Sequence, residues 1–155
     1  MAETLIAQTR LTPRLVDSLY VEAMVLADEA RAYFEDHGTD ERDALPPMSR
    51  VGYAVESLKV TTRIMHVIAW LLTRRGVESG QISRETGRRP DNRLGEAGPS
   101  DPETLSGLPE GARELIAASE DLYFRVKRIE NDMLAPDEPA PSPARTLLGR
   151  LERAF

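Results

Sequence analysis

The sequence has no cysteine and few aromatic residues, and both features narrow the fold class. Of its 155 residues, 41% are hydrophobic but only 5% are aromatic, so leucine, alanine, valine and isoleucine supply most of the apolar side chains. This composition favours packing of helices over a β-sheet, whose strands are typically rich in threonine and aromatic residues. Without cysteine, disulfide bonds and thiolate metal sites are excluded. We therefore expect an all-α fold.

Long apolar runs are also lacking. The longest nearly apolar stretch, residues 64–72, is about half of the roughly 20 residues that a bilayer-spanning helix needs. Residues 1–10 have no basic segment followed by an apolar one, so we expect no signal peptide and no membrane insertion. The net charge of −6 argues against nucleic acid, because phosphate binding needs a clustered basic surface. These features predict a cytoplasmic protein.

Three segments show helical periodicity: residues 12–37, 47–75 and 109–134. Thr12 is a good N-cap and is followed by Pro13 at the first helical position. Gly76 and Pro136 follow the second and third segments and are typical residues after a helix end. We therefore predict an antiparallel three-helix bundle with long helices, formed by a single domain of residues 1–135.

The connection between the second and third helices, residues 76–108, holds six of the ten glycines and three prolines. A segment of this length without periodicity predicts a long irregular loop. Its first half contains four arginines, and we favour a solvated loop over weak nucleic-acid contact because no aromatic residues interleave them. These arginines are Arg84, Arg88, Arg89 and Arg93.

Residues 136–155 form a proline-rich segment that we predict to be a flexible C-terminal tail. Its last residues include an apolar set that could dock on a partner protein. The alternative is a loose chain end with incidental leucines. The candidate docking residues are Leu147, Leu148, Leu151 and Phe155.

The second predicted helix carries two apolar stripes on roughly opposite sides, which is more apolar surface than a three-helix bundle needs. One stripe contains Val51, Val55, Leu58, Met65, Ala69 and Leu72. We assign the excess to the other stripe and predict that it forms a homodimer or partner surface; cover by the loop or the tail, and a different partner, are the alternatives. This candidate surface consists of Val60, Ile64, Val67 and Leu71.

Charge is divided between the first two helices. Residues 14–36 have two positive and six negative side chains, whereas residues 45–75 have five positive and one negative. Neighbouring helices with these balances attract each other. We therefore predict structural ion pairs joining Glu22 and Glu29 to Lys59 or Arg63.

No arrangement of residues predicts catalysis or a metal site. The two histidines are His37, near a predicted helix end, and His66. A metal-binding bundle would place a carboxylate three residues before a histidine, but Arg63 occupies that position relative to His66. Glycines are not arranged as a phosphate-binding loop. We therefore expect no enzyme activity and no cofactor.

A family resemblance is carried by residues 22–34, 56–72 and 121–129. Its most distinctive part is Thr-Thr-Arg-x-Met-His-x-x-Ala-Trp-Leu-Leu at residues 61–72. Together these segments resemble the regulator-of-CtrA-degradation family of alphaproteobacteria. Members of this family are dimeric three-helix proteins, so the resemblance implies the same architecture here.

The resemblance also implies a function, namely an adaptor that delivers substrates such as the cell-cycle regulator CtrA to the protease ClpXP. The implied partners are ClpXP primed by CpdR, and PopA, a cyclic-di-GMP effector. It implies a cytoplasmic protein and leaves open a concentration at the cell pole. The family offers no catalytic residue to transfer. The alternative function is that of a helical dimeric interaction protein that regulates transcription or signalling without a protease.

Overall fold

The computed structural model of the protein describes residues 11–135 and 143–154, and the regular elements within them are all helical. The all-α prediction is confirmed. A π-type turn, Tyr33–His37, continues the long helix that ends at Ala32, and a 3-10 turn, Pro90–Asn92, lies between two short helices. The helices are α1 (Pro13–Ala32), α2 (Thr39–Asp43), α3 (Pro47–Glu78), α4 (Arg84–Gly87), α5 (Pro102–Ser106), α6 (Glu110–Leu134) and α7 (Pro143–Ala154).

Local sequence signals account for where the long helices begin. The Thr12 hydroxyl accepts a hydrogen bond from the Leu15 N–H at 3.1 Å, and Pro13 occupies the first turn of α1. Proline suits this position because the N–H that it lacks would have no partner inside the helix. Pro47 begins α3 for the same reason, and α3 then runs three residues past the predicted end at residue 75.

Helices α1 and α3 pack against each other in opposite directions. Asp17, near the start of α1, accepts a hydrogen bond from Arg75 near the end of α3 at 2.8 Å. At the other end of the pair, the rings of Tyr33 and Tyr53 lie 6.5 Å apart. The late part of one helix therefore meets the early part of the other.

Helices α3 and α6, in contrast, run parallel. Arg63 donates to the Ser119 hydroxyl at 3.1 Å, and further along both helices Trp70 donates to the Glu130 carboxylate at 2.7 Å. The predicted antiparallel arrangement is therefore wrong for this pair. A short loop can join only antiparallel neighbours, whereas parallel helices require a connection that travels back along the length of the bundle.

Residues 79–109, called here the return segment, run back along the bundle and contact the helices at defined points. The Leu94 N–H donates to Glu130 near the end of α6 at 2.7 Å, and the Gly98 carbonyl accepts from Arg63 in the middle of α3 at 2.8 Å. The return segment also contains α4, the 3-10 turn and α5. The prediction of an irregular loop throughout residues 76–108 is therefore wrong.

The core lies between α1, α3 and α6, and the return segment closes it by contributing Leu94 and Leu108. Buried apolar side chains from the three long helices fill the space between them. The buried apolar residues of α1 recur at steps of three and four residues, and those of α6 do so once the buried Ser119 is included, as expected for helices with one buried face. They are Val16, Leu19, Ala23, Leu26 and Ala30 from α1, and Ala112, Ile116, Leu122, Tyr123 and Val126 from α6.

Candidate interaction surface

The four residues predicted as a partner surface lie inside the protein. Val60, Val67 and Leu71 are 0% exposed and Ile64 is 4% exposed. All four belong to the core that α3 shares with α1, α6 and the return segment. The prediction that they form an exposed strip is wrong, because the core of a single chain already covers them.

The exposed apolar surface of α3 is instead the other stripe. Its residues follow one another at alternating steps of three and four from residue 48 to residue 72, which is the spacing of a coiled-coil seam. Six of them are large and 47–80% exposed. We call the full set of eight residues the heptad stripe: Met48, Val51, Val55, Leu58, Thr62, Met65, Ala69 and Leu72.

The heptad stripe faces outward because the return segment of the same chain covers the polar side of α3. Glu56 and Arg63, which a simple helical reading would place in water, are each only 1% exposed. The return segment lies over them and supplies hydrogen-bonding groups. A buried charged group is tolerated when it is paired and hydrogen-bonded. Once this side of α3 is covered, the heptad stripe remains on the surface.

Two grooves flank the heptad stripe. One, of about 610 Å³, lies between α1 and α3 and includes Leu58 and Met65 of the stripe. Small side chains, among them Ala27, Ala30 and Ala54, contribute to its lining. The other groove, of about 570 Å³, lies between the start of α3 and α5. The stripe therefore forms a ridge with depressions on both sides, a shape that another helix can match.

Arg63 is the centre of a buried polar cluster that joins α3, α6 and the return segment. Besides Ser119, it donates to the Gly98 carbonyl at 2.8 Å and to the Ser100 hydroxyl at 2.9 Å. Its guanidinium lies 3.8 Å from the Glu120 carboxylate. Arg63 therefore fastens the return segment to two helices at once.

Lys59 extends this cluster by one helical turn. Its ammonium group donates to Glu56 at 3.2 Å and to the carbonyl of Pro99 at 3.0 Å. Glu56 also accepts a hydrogen bond from Ser100. The predicted structural role of Lys59 and Arg63 thus involves other partners than the carboxylates of the first helix.

The predicted pairing of Glu22 and Glu29 with Lys59 or Arg63 is wrong. Glu22 pairs with Arg125 of α6, where one of the two hydrogen bonds is 3.2 Å long. This hydrogen-bonded carboxylate is the main reason why the pKa of Arg125 is raised. Glu29 is exposed, and no ion pair joins it to another residue of the described ranges. Sequence spacing identified charged faces but not the helix that each one meets.

The two histidines lie in different surroundings. His37 is exposed in the turn after α1. The ring of His66 lies against Gly95, and its Nδ1 is buried without a hydrogen-bond partner there. Residues 11–135 and 143–154 hold no cluster of three side chains suited to a metal ion. Nor do these ranges include a helix that is both long and apolar enough to cross a membrane.

The candidate docking residues of the C-terminal segment fall mostly on α7. Leu147, Leu148 and Leu151 are 49–62% exposed on this helix. Phe155 and residues 136–142 lie outside the described residues. The three leucines form an apolar strip at helical spacing, which suits binding in a groove of another protein.

Comparison with known proteins agrees with this architecture. A family model described as "Protein of unknown function (DUF1465)" matches residues 7–155. Among solved structures, the crystal structure of RcdA from Caulobacter crescentus CB15 is similar with a TM-score of 0.63 and 32% sequence identity. The match covers 77% of this chain and 90% of that one. Comparison with curated proteins gave no match. The chain therefore belongs to the RcdA family.

Proposed function

We propose that the protein is a non-enzymatic adaptor that delivers client proteins, CtrA among them, to the ClpXP protease. The observation that carries this proposal is the likeness to RcdA over most of the chain. The proposed partners are ClpXP primed by CpdR, PopA, and the clients themselves. An adaptor must hold several proteins at once, and such binding requires exposed apolar and charged surfaces rather than a catalytic cleft.

The heptad stripe is the proposed homodimer surface. Side chains at this regular spacing can insert between those of a facing helix that has the same spacing. A two-fold axis brings the same stripe from two copies together. A second copy also explains why the stripe is continuous over the length of α3 while the flanking grooves lie on both sides. The occupant that we propose is therefore another copy of this chain.

An energy estimate supports a stable dimer. The six large residues of the stripe retain 47–80% of their exposure. Full burial of such a side chain is worth about 1.5–3 kcal/mol, so covering what remains exposed gives at most about 5–11 kcal/mol per copy. Both copies contribute, and their sum is comparable to or larger than the ~4–15 kcal/mol lost on association.

A pair of double variants tests the dimer. Leu58→Asp with Met65→Asp places two charges on the heptad stripe, where the two side chains are 67% and 62% exposed. Val21→Asp with Val25→Asp adds the same charges to α1, where the exposures are 60% and 50%. By light scattering we expect the wild type and the α1 variant to be dimers and the stripe variant to be a folded monomer. A wild-type monomer, or a stripe variant that remains a dimer, overturns the assignment.

The C-terminal segment is the proposed client-docking element. Its leucines are exposed on α7, and a segment of this kind binds by laying its apolar face into a groove. Immobilised full-length chain and a chain ending at Ala135 should therefore differ in the capture of at least one partner among CtrA, CpdR and PopA. Equal capture of all three by both chains refutes the docking role and places every partner on the helical domain.

A further inference from the structure

At the end of the molecule where α3 and α6 finish, the return segment and α6 form a crevice with cationic and apolar walls. Its lining includes Arg88 and Arg93 from the return segment, and Met133 and Leu134 from the last turn of α6. The crevice itself has a volume of only about 20 Å³. A wider groove of about 460 Å³ adjoins it and shares Arg93, Glu130 and Leu134. We call this region the arginine crevice.

The cations of the arginine crevice are held in place but not neutralised. Arg88 and Arg93 are exposed, and neither forms an ion pair or a side-chain hydrogen bond within the described ranges. The backbone that carries them is ordered, since the Asn92 side chain donates to the Thr86 carbonyl at 2.8 Å. Leu94, the next residue after Arg93, is buried in the core. Both arginines therefore project from a fixed support.

Arg74 adds a third cation, and it is partly withdrawn from water. Its guanidinium lies over the Trp70 ring at 5.3 Å from the centroid and donates to the Gly87 carbonyl. Its Nε is buried without a hydrogen-bond partner in the described residues. Loss of hydration lowers the pKa of Arg74, and the charge of Glu130 opposes this effect only in part. A desolvated cation of this kind is stabilised when a carboxylate approaches.

The nearby acidic groups are partly engaged already. Glu130 accepts hydrogen bonds at 2.7 Å from both Trp70 and Leu94. Glu96 is paired with Lys127 at 3.5 Å. Asp91 is the remaining carboxylate that lines the wider groove. Three arginines thus face a region in which one carboxylate is unengaged and another is shared with a tryptophan and a backbone amide.

From this arrangement we propose that the arginine crevice binds an acidic segment of a partner protein that carries an apolar side chain next to its carboxylates. Arginine pairs with carboxylates through two parallel hydrogen bonds. Met133 and Leu134, 41% and 40% exposed, provide the apolar contact. A protein partner fits better than nucleic acid, because the net charge is −6 and the crevice offers no exposed aromatic ring for base stacking. This surface is separate from the heptad stripe and from α7.

The test is a titration of the full chain with a capped peptide of sequence Asp-Glu-Leu-Asp-Glu-Leu, in which the fluorescence of Trp70 is the measured signal. Trp70 is the single tryptophan of the chain and lines the crevice. We expect saturable binding that weakens at least tenfold in Arg88→Gln with Arg93→Gln. The matched control is Arg50→Gln with Arg113→Gln, two exposed arginines near the starts of α3 and α6, which should change the affinity less than twofold.

Two further probes separate the alternatives. A peptide with serine in place of leucine should bind at least threefold more weakly to the wild type, and Leu134→Ser should abolish this difference. A thymidine hexanucleotide should bind more weakly than the acidic peptide. Absence of saturable binding, equal losses in the two arginine variants, or tighter binding of the oligonucleotide each overturns the proposal.

Discussion

Removal of the Arg63 side chain should destabilise the fold strongly, because it takes away the contact that joins the return segment to α3 and α6. Arg63 is 1% exposed and makes three hydrogen bonds of 2.8–3.1 Å, to Gly98, Ser100 and Ser119. A hydrogen bond from a charged group contributes about 1.5–3 kcal/mol. Disruption of a buried charged cluster from one side costs about 3–5 kcal/mol, since such contributions do not add fully.

For a chain of this size, 1 kcal/mol changes the Tm by about 2–4 °C, so Arg63→Ala should lower the Tm by about 6–20 °C. The matched control is Arg75→Ala on the same helix. Arg75 pairs with Asp17 at 2.8 Å, with side chains that are 40% and 66% exposed, and its guanidinium lies over the Tyr20 ring at 4.2 Å from the centroid. An exposed pair contributes about 1 kcal/mol or less and an exposed cation–π contact about 0.5–1 kcal/mol, so the control should shift the Tm by no more than about 8 °C and by less than Arg63→Ala.

Thermal unfolding followed by circular dichroism measures both variants, and amide hydrogen exchange locates the effect. We expect Arg63→Ala to accelerate exchange in residues 94–108 more than in α1. A decrease in Tm of less than 2 °C, or an equal acceleration in α1 and the return segment, refutes the view that Arg63 fastens this segment.

Three further predictions concern single residues. Gly95→Ala should destabilise the protein by about 1–3 kcal/mol, because the added Cβ would lie 2.6 Å from the His66 ring, whereas Gly98→Ala, with no atom within 4 Å, should cost under about 0.5 kcal/mol; urea unfolding compares them. Glu22→Gln should cost about 1 kcal/mol or less by the same assay, because the pair with Arg125 is 34–44% exposed; a larger loss contradicts this. Burial and, to a smaller extent, the hydrogen bond to Glu41 raise the pKa of Tyr33. Its contribution to stability is therefore present below pH ~10 and lost as the pH rises through the folded-state pKa. Tyr33→Phe should lose less stability than the wild type above pH ~10, and an unchanged pH profile contradicts this assignment.

The sequence predicted the long helices well because their signals are local. Thr12 with Pro13 and the proline at residue 47 mark helix starts in the sequence and in the structure. The short helices of the return segment were missed, because elements of four or five residues carry too little periodicity to be recognised. The direction of α6 relative to α3 was also missed, since only tertiary contacts such as that between Trp70 and Glu130 determine it.

The surface stripe of α3 was misassigned for a related reason. Both apolar stripes have helical spacing, so periodicity alone could not decide which one is buried. Glu56 and Arg63 suggested a solvated face, but the return segment covers them and provides their partners. The steps of three and four from Met48 to Leu72 are visible in the sequence, but the buried stripe has the same spacing, so they reveal a stripe and not its exposure.

The adaptor function is tested most directly by reconstituted proteolysis. Purified ClpXP, CpdR in its priming state, PopA with cyclic-di-GMP and CtrA are mixed with increasing amounts of this chain, and the loss of CtrA is followed over time. We predict that degradation accelerates several-fold, saturates with adaptor concentration, and slows again when residues 136–155 are deleted. A rate of CtrA loss that is independent of the chain at every concentration would contradict the proposed function.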